Sequence, residues 1–375
     1  MKKKFFRVCI ENSSYSLFLY FLISTYEEIR GTYFFVSDGI PKEVLNQLSD
    51  NFKGQYHCFK RRGIMDKLLN FKERCHWFKK ERRMIDKSLS NSEMQCCRLK
   101  QRGVMYYLLT NVRSLYSCVL GIILRLTAWL RWPFLKTAEI YGSEVCSFSP
   151  ALVGHRKMIA IEDGFTNYMD KKEKRKWVWL RRVLLGPLAG NLLLSGRNPE
   201  FLSKVVLTGL CKSGYPTNIP IEFINIQKLW DKSSEEKKNL ILKIYNIDDN
   251  DLRELKQRDE ILITQTLSED QIITEEEKIV FYRQLLQNCD PLKVMIKPHP
   301  REMTDYTKFF PEMYVFTKKV PMQLLSVLGI KFKKAYTVCS TAAYSLGNET
   351  EVIFLGSECH PNIVKRYGVV RFSKK

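Results

Sequence analysis

Short apolar runs, each stopped by Asp-Gly, Glu-Asp-Gly or Pro-His-Pro and separated by stretches of helical period, recur along almost the whole of this 375-residue chain. A strand that returns parallel to its predecessor needs a helical crossover, so this alternation predicts α/β sheets with helices on both faces. The opening reads as a strand over 5–10, a helix over about 15–26 and a second strand in TYFFVSDG. AEIYGSEVCSF (138–148), the short helix SPALVGHR and the strand KMIAIEDG (157–164) continue it. A second series follows the Pro-rich stretch 216–220: ILITQT, a helix over 275–287, KVMIKPHP, YVFT, the helix PMQLLSVLG, KKAYTVCS, the helix-like TAAYSLG and EVIFLGS. At about 150 residues per domain, the length also points to two. The expected division is 1–215, carrying a basic helical insertion at about 60–135, and 216–375, with a linker near 215–255.

With 45% apolar and 27% charged residues the chain can bury a core, which excludes a disordered or collagen-like protein. Its net charge of +21 implies an anionic partner: nucleic acid, a membrane surface, an acidic sugar or a nucleotide. Eleven cysteines form no C-x-x-C pair, so neither zinc nor a thioredoxin-like site is expected, and they read as reduced cytosolic thiols. The N-terminus superficially resembles a signal peptide, but Arg7, Glu11 and Asn12 interrupt its apolar run. In the apolar stretch 106–132, Arg113 and Arg125 leave 11 uncharged residues between them, too few to span a bilayer.

Three strand ends carry residues suited to chemistry. Glu162-Asp163-Gly164 follows MIAI, so two carboxylates would project toward a cleft, where one serves as a general base; the alternative is a pair of solvated acids in a turn. In Lys297-Pro298-His299-Pro300 the flanking prolines present an imidazole rigidly, either to a departing phosphate as acid or cation or merely as part of a stiff turn. Ser340-Thr341 sits where a strand gives way to a helix, a place for one phosphate or for an ordinary N-cap. DDND (248–251) lacks calcium-loop spacing and reads as a polar turn. KKEKRKWVWLRR (171–182) surrounds Trp177 and Trp179 with seven basic residues, and 60–131 holds 17 basic against five acidic residues. Basic and aromatic together suit an anionic bilayer surface, a solvated helix or, third, nucleic acid, for which no recognition motif is present.

The order IEDGFTNY, ILITQT, VMIKPHPRE, PMQLL and AYTVCSTAAYSL resembles the bacterial sialyltransferases of glycosyltransferase family 52 and the related capsular polysialyltransferases. The resemblance implies an α/β chain of GT-B fold, two Rossmann-like domains facing across a cleft, and an inverting transfer from CMP-sialic acid without metal or cofactor. It makes Glu162 the base, Asp163 its orienting partner and His299 the acid at the leaving phosphate, with Ser340 and Thr341 holding that phosphate. Lys297, Pro298, Thr264, Gln265 and Gln323 join them on the donor side; relatives carry an acid where Gln323 stands. In some relatives the base lies instead on the loop that here holds Thr264, Gln265 and Asp270. The implied setting is the cytoplasmic face of a bacterial inner membrane, with a lipid-linked acceptor of lipopolysaccharide, O-antigen or capsule and no nucleic-acid partner. A capsular polysialyltransferase is the second reading, a non-catalytic basic binder the third.

Overall fold

A computed structural model describes residues 6–59, 123, 126–144, 146, 148–164, 167, 172–173, 192–193, 202–209, 219–340, 342–343, 346 and 349–370. Thr341 and the basic run 174–182, with Trp177 and Trp179, lie outside the described residues.

The first sheet contains β1 (Arg7–Glu11), β2 (Thr32–Ser37), β3 (Tyr56–Phe59), β4 (Glu139–Gly142) and β5 (Met158–Ile161). After a separate antiparallel pair, β6 (Lys172–Glu173) and β7 (Leu192–Leu193), it gains β8 (Leu202–Leu207) and β9 (Ile221–Phe223). Its order is β3-β2-β1-β4-β5-β8-β9, all parallel. The second sheet repeats the plan with β10 (Glu260–Ile263), β11 (Val294–Lys297), β12 (Tyr314–Val315), β13 (Lys334–Thr337) and β14 (Glu351–Phe354) in the order β12-β11-β10-β13-β14, again all parallel. In each sheet the chain builds outward from its first strand, then crosses to the other side. The crevice at that reversal, outside the strands' carboxyl ends, is where such folds bind ligands. It falls between β1 and β4, and between β10 and β13.

Two local readings are corrected. The helix expected over 15–26 is two, Ser14–Ile23 and Tyr26–Arg30, because Thr25 closes a capping box with Glu28 and restarts the chain after Ser24. DDND is not a free turn: Asp248 and Asp251 form a capping box that opens helix Asp249–Lys256. That helix, with Ile226–Asp231 and Glu235–Ile244, occupies the segment between β9 and β10. Tyr245 packs edge-on against Phe18 at 6.2 Å and its hydroxyl donates to Ser14 O at 2.6 Å, while Lys237 Nζ donates to Leu22 O at 2.8 Å. One hydrophobic cluster therefore runs from Phe18 and Phe34 through Ile241 and Ile244 to Ile261, Met295 and Leu325. Among the described residues no helix is long and apolar enough to cross a membrane.

The switch point of the first sheet depends on a glycine. Gly142 ends β4 at φ +130°, opposite Ile10, and a Cβ built there would lie 2.0 Å from Ile10 O. This close approach lets Ser143 N donate to Ile10 O at 2.8 Å, bringing the polar end of β4 beside that of β1. Gly142→Ala is expected to cost more than about 1 kcal/mol, since both backbone angle and space are incompatible with a side chain. A lowered thermal midpoint in scanning fluorimetry checks it.

Candidate functional site

At the second sheet, the chain leaves β11 through Lys297-Pro298-His299-Pro300 and folds into a tight turn, with Glu302 N donating to His299 O at 2.9 Å. The His299 N–H is gripped from below by Glu302 Oε2 at 2.6 Å and by Thr264 Oγ1 at 3.1 Å. Thr264, at the end of β10, also donates its own N–H to Lys297 O at 3.3 Å, so β10 and the turn move as one piece. Gln265 joins β10 to β13: its side-chain oxygen accepts from Cys339 N at 2.8 Å. Ser340 is buried beyond β13, where its Oγ accepts from Ala342 N at 3.3 Å. Thr264, Gln265, Lys297, Pro298, His299 and Ser340 thus converge on the ends of three adjacent strands. Gln323 lies in the first turn of helix Met322–Val327, with no side-chain hydrogen bond among the described residues.

The electrostatics of this edge are uneven. Lys297 is buried and makes no ion pair among the described residues, and burial alone pulls its ammonium down to about 8. His299 is pulled down to about 4 by burial first and then by the Arg301 and Lys297 cations. Burial and these two cations thus favour the neutral imidazole at pH 7. Arg301 N donates to Nδ1 at 3.2 Å, leaving the ring proton on Nε2. Asp270, the alternative base, is held in a two-pronged pair by Arg301 at 3.1 and 3.2 Å and accepts from Thr266 Oγ1 at 2.8 Å. The guanidinium keeps its carboxyl below the ordinary range, leaving a weak proton acceptor.

At the first sheet the two acids of the Glu-Asp-Gly motif do not share one orientation. Glu162 is fully buried: its carboxylate accepts from Thr208 N at 2.6 Å, Thr208 Oγ1 at 2.8 Å and Tyr15 OH at 2.8 Å. Rather than projecting into a cleft, it fastens β5 to the end of β8, because successive residues of an extended chain point opposite ways. Asp163 keeps partial contact with solvent, and its carboxyl is raised to about 6 by burial and, less, by the neighbouring Glu162 charge. Beside it Glu11, ending β1, is wholly buried, accepts from Ser16 Oγ, and is pushed far up by desolvation. Glu11 Oε1, Asn12 Oδ1, Ser14 Oγ, Ser143 Oγ and Asp163 Oδ1 are all buried without a hydrogen-bond partner among the described residues. Such atoms are costly, about 1–3 kcal/mol each, unless water or ligand satisfies them. All five lie at the carboxyl ends of β1, β4 and β5, at or beside the switch point. Among the described residues no group of three or more His, Cys, Asp or Glu is arranged to hold a metal ion.

The model of glycosyltransferase family 52 matches residues 149–356, more than half of the chain. The chain belongs to glycosyltransferase family 52. An uncharacterized protein of Haemophilus influenzae is 36% identical over 245 residues, 64% of this chain and 74% of that one. Among solved structures, a Photobacterium 2,6-sialyltransferase in complex with CMP and lactose superimposes over 93% of this chain and 71% of its own, with a TM-score of 0.52 and 10% identity. The α-2,3-sialyltransferase of Photobacterium phosphoreum covers 94% of this chain and 91% of its own at a TM-score of 0.46 and 12% identity. This family 52 glycosyltransferase has the GT-B fold, with its two parallel sheets as the two halves. The family match contains Glu162, Asp163, Lys297, His299 and Ser340; Glu11 lies outside it.

Sequence reasoning did not assign a role to Glu11, Ser143 or Glu302. Glu11 was visible as an acid closing the first strand of a doubly wound unit, a position that faces the ligand crevice. The two motif acids are expected to separate in stability. Asp163 carries a folded-state pKa above its ordinary 3.8, so its charge destabilises the fold increasingly as pH rises from about 4 through 6. Asp163→Asn should therefore leave the thermal midpoint unchanged or raised at pH 7.5, a gap that narrows by pH 5 and closes only below about pH 4. Glu162→Gln sets an amide NH₂ against the Thr208 and Tyr15 donors and should lower stability by about 1–3 kcal/mol. Melting curves at the two pH values read both.

Proposed function

We propose that this glycosyltransferase is an inverting, metal-independent sialyltransferase that moves sialic acid from CMP-sialic acid to a hydroxyl of a cell-surface glycan. The observation that carries the donor side is Lys297: a buried cation with no counter-charge among the described residues, beside a neutral imidazole, offers a bound anion an unusually favourable partner. CMP-sialic acid brings a phosphodiester and a carboxylate. His299 Nε2–H donates to the departing phosphate oxygen, and Ser340, with Thr341, is assigned the same phosphate. A phosphomonoester has a second pKa near ~6, so CMP can leave as an anion stabilised by hydrogen bonds rather than by a full proton transfer.

On the acceptor side the base is Asp163 rather than Glu162, because the half-buried Asp163 keeps a carboxyl oxygen unpartnered among the described residues and has its affinity for protons tuned toward neutrality. The acceptor oxygen bonds to the anomeric carbon, its proton passes to Asp163, and the bond to phosphate breaks with its electron pair going to CMP. Attack from the face opposite CMP inverts the centre. The unpartnered acceptor atoms on Glu11, Asn12 and Asp163 suit the hydroxyls of a neutral sugar. A buried acidic edge disfavours a sialic-acid terminus, which favours single transfer over polysialylation. Exposed Ile123, Leu126 and Leu130 together with the +21 charge support a peripheral, cytoplasmic-face association with an anionic membrane bearing a lipid-linked acceptor of lipopolysaccharide, O-antigen or capsule.

Purified protein incubated with CMP-sialic acid and lactose, N-acetylgalactosamine- or sialic-acid-terminated acceptors should yield products one sialic acid heavier from the neutral acceptors, undiminished by EDTA. Absence of acceptor-dependent product overturns the reading, and serial additions to a sialylated acceptor would favour a polysialyltransferase. His299→Ala should lower kcat by roughly 10²–10⁴-fold, as loss of a positioned proton donor does. Asp163 must be ionised to act, so kcat should fall as pH drops through about 6, and Asp163→Asn should remove both the activity and that limb.

A further inference from the structure

Beneath the Lys-Pro-His-Pro turn lies a fully enclosed ion pair that the transfer chemistry does not use directly. Lys278, from helix Glu275–Leu286, and Glu302 have side chains with no exposed surface. Lys278 Nζ donates to Thr304 Oγ1 at 2.6 Å, to Glu269 at 3.3 Å and to Glu302 Oε1 at 3.4 Å. Tyr306 OH donates to the same Glu302 oxygen at 2.6 Å. The other oxygen, Oε2, takes the His299 N–H at 2.6 Å and also meets Thr264 Oγ1. The carboxylate thus divides its work: one oxygen is fixed by the buried ammonium and phenol, and the other holds the backbone of the histidine.

We propose that Glu302, oriented by Lys278, is a positioning residue that sets the direction of the His299 imidazole. Both faces of Glu302 meet donors, so both of its oxygens must accept; a carboxylate meets this demand and an amide cannot. In Glu302→Gln the single oxygen goes to Lys278 and Tyr306, where the stronger field lies. The NH₂ is then turned against the His299 N–H, which releases the turn. Flanking prolines leave that N–H as the backbone donor that ties the histidine to the sheet below. The same turn carries the Arg301 N–H to Nδ1 that keeps the proton on Nε2, so loosening it disturbs both aim and tautomer.

The inference rests on the role proposed above for His299, and the test separates the two. Glu302→Gln should lower kcat about 10- to 100-fold while the donor KM changes less than threefold, and in the His299→Ala background it should cost nothing further. Two residues acting through one group are non-additive in this way, whereas a merely structural loss recurs in either background. Hydrogen exchange of the peptide covering 297–303, followed without ligand, should show the His299 amide losing protection. Thr264→Val, which removes the second acceptor without changing shape, should show the same non-additivity more weakly and serves if Glu302→Gln does not fold. Multiplicative losses in the double variant, or an unaltered His299 amide, would overturn the positioning role. If His299→Ala alone turns over like the wild type, the function given to His299 fails, and the amide exchange still decides whether Glu302 fixes the turn.

Discussion

A parallel sheet sends every strand's carboxyl end to one edge, and both halves of this enzyme are built on that polarity. Seven strands in the first half and five in the second run the same way within their sheets. Functional groups far apart in sequence, such as Glu11, Ser143 and Asp163, or Thr264, His299 and Ser340, are therefore collected along single edges. The helices that return the chain also matter, because each must pack before the next strand can pair. Tyr245 against Phe18 and the Lys237 bond to Leu22 O tie the connecting helices to the first of these crossovers. The position of either edge is then fixed by apolar packing rather than by the polar groups that use it.

Burying charge is costly, and the chain treats two buried lysines beside the second sheet, Lys278 and Lys297, in opposite ways. Lys278 is surrounded by Glu269, Glu302 and Thr304, a satisfied network. Lys297, a few residues before the turn it supports, has no counter-charge among the described residues, and its affinity for a proton falls accordingly. A folded chain gains nothing from the second arrangement by itself. The same contrast holds in the first half, where Glu162 is saturated with donors while Glu11 and Asp163 each retain a buried oxygen with none. In both halves a satisfied charge stands next to an unsatisfied one. The first gives rigidity, and the second gives the affinity that a ligand can draw on.

Much of the strand order was legible because apolar runs with defined stops are a strong signal: MIAI, ILI and VMIK became strands within a residue or two. Less visible were β3, whose YHCF carries a histidine and no clear stop, and helix Asp249–Lys256, whose acidic start looks like a loop until Asp248 and Asp251 are seen bonding each other's backbone. At the site the motifs gave the right strand ends but not the side-chain directions. Glu162 and Asp163 are adjacent in sequence and so face opposite ways, and only the position of Thr208, 46 residues on, decides which one turns inward. The charge of His299 was equally hidden, since it depends on Arg301, Lys297 and burial together.

The large positive charge and the acidic edge of the first sheet look contradictory until their ranges are compared. A net +21 creates a field that acts over roughly a Debye length, about 8 Å at physiological salt, and raises the local concentration of any anion near the surface. It cannot distinguish a nucleotide sugar from a lipid headgroup. Discrimination falls to groups in contact, where the field of Lys297 on one edge and of an ionised Asp163 on the other is little screened, while Glu11, its proton retained by burial, adds polarity rather than charge. Any anion attracted by the whole surface is favoured beside Lys297, which has no counter-charge among the described residues, and disfavoured beside an ionised Asp163. Long-range charge thus supplies encounter and the buried groups supply orientation. A basic surface and a locally acidic edge therefore act at different ranges and do not oppose each other.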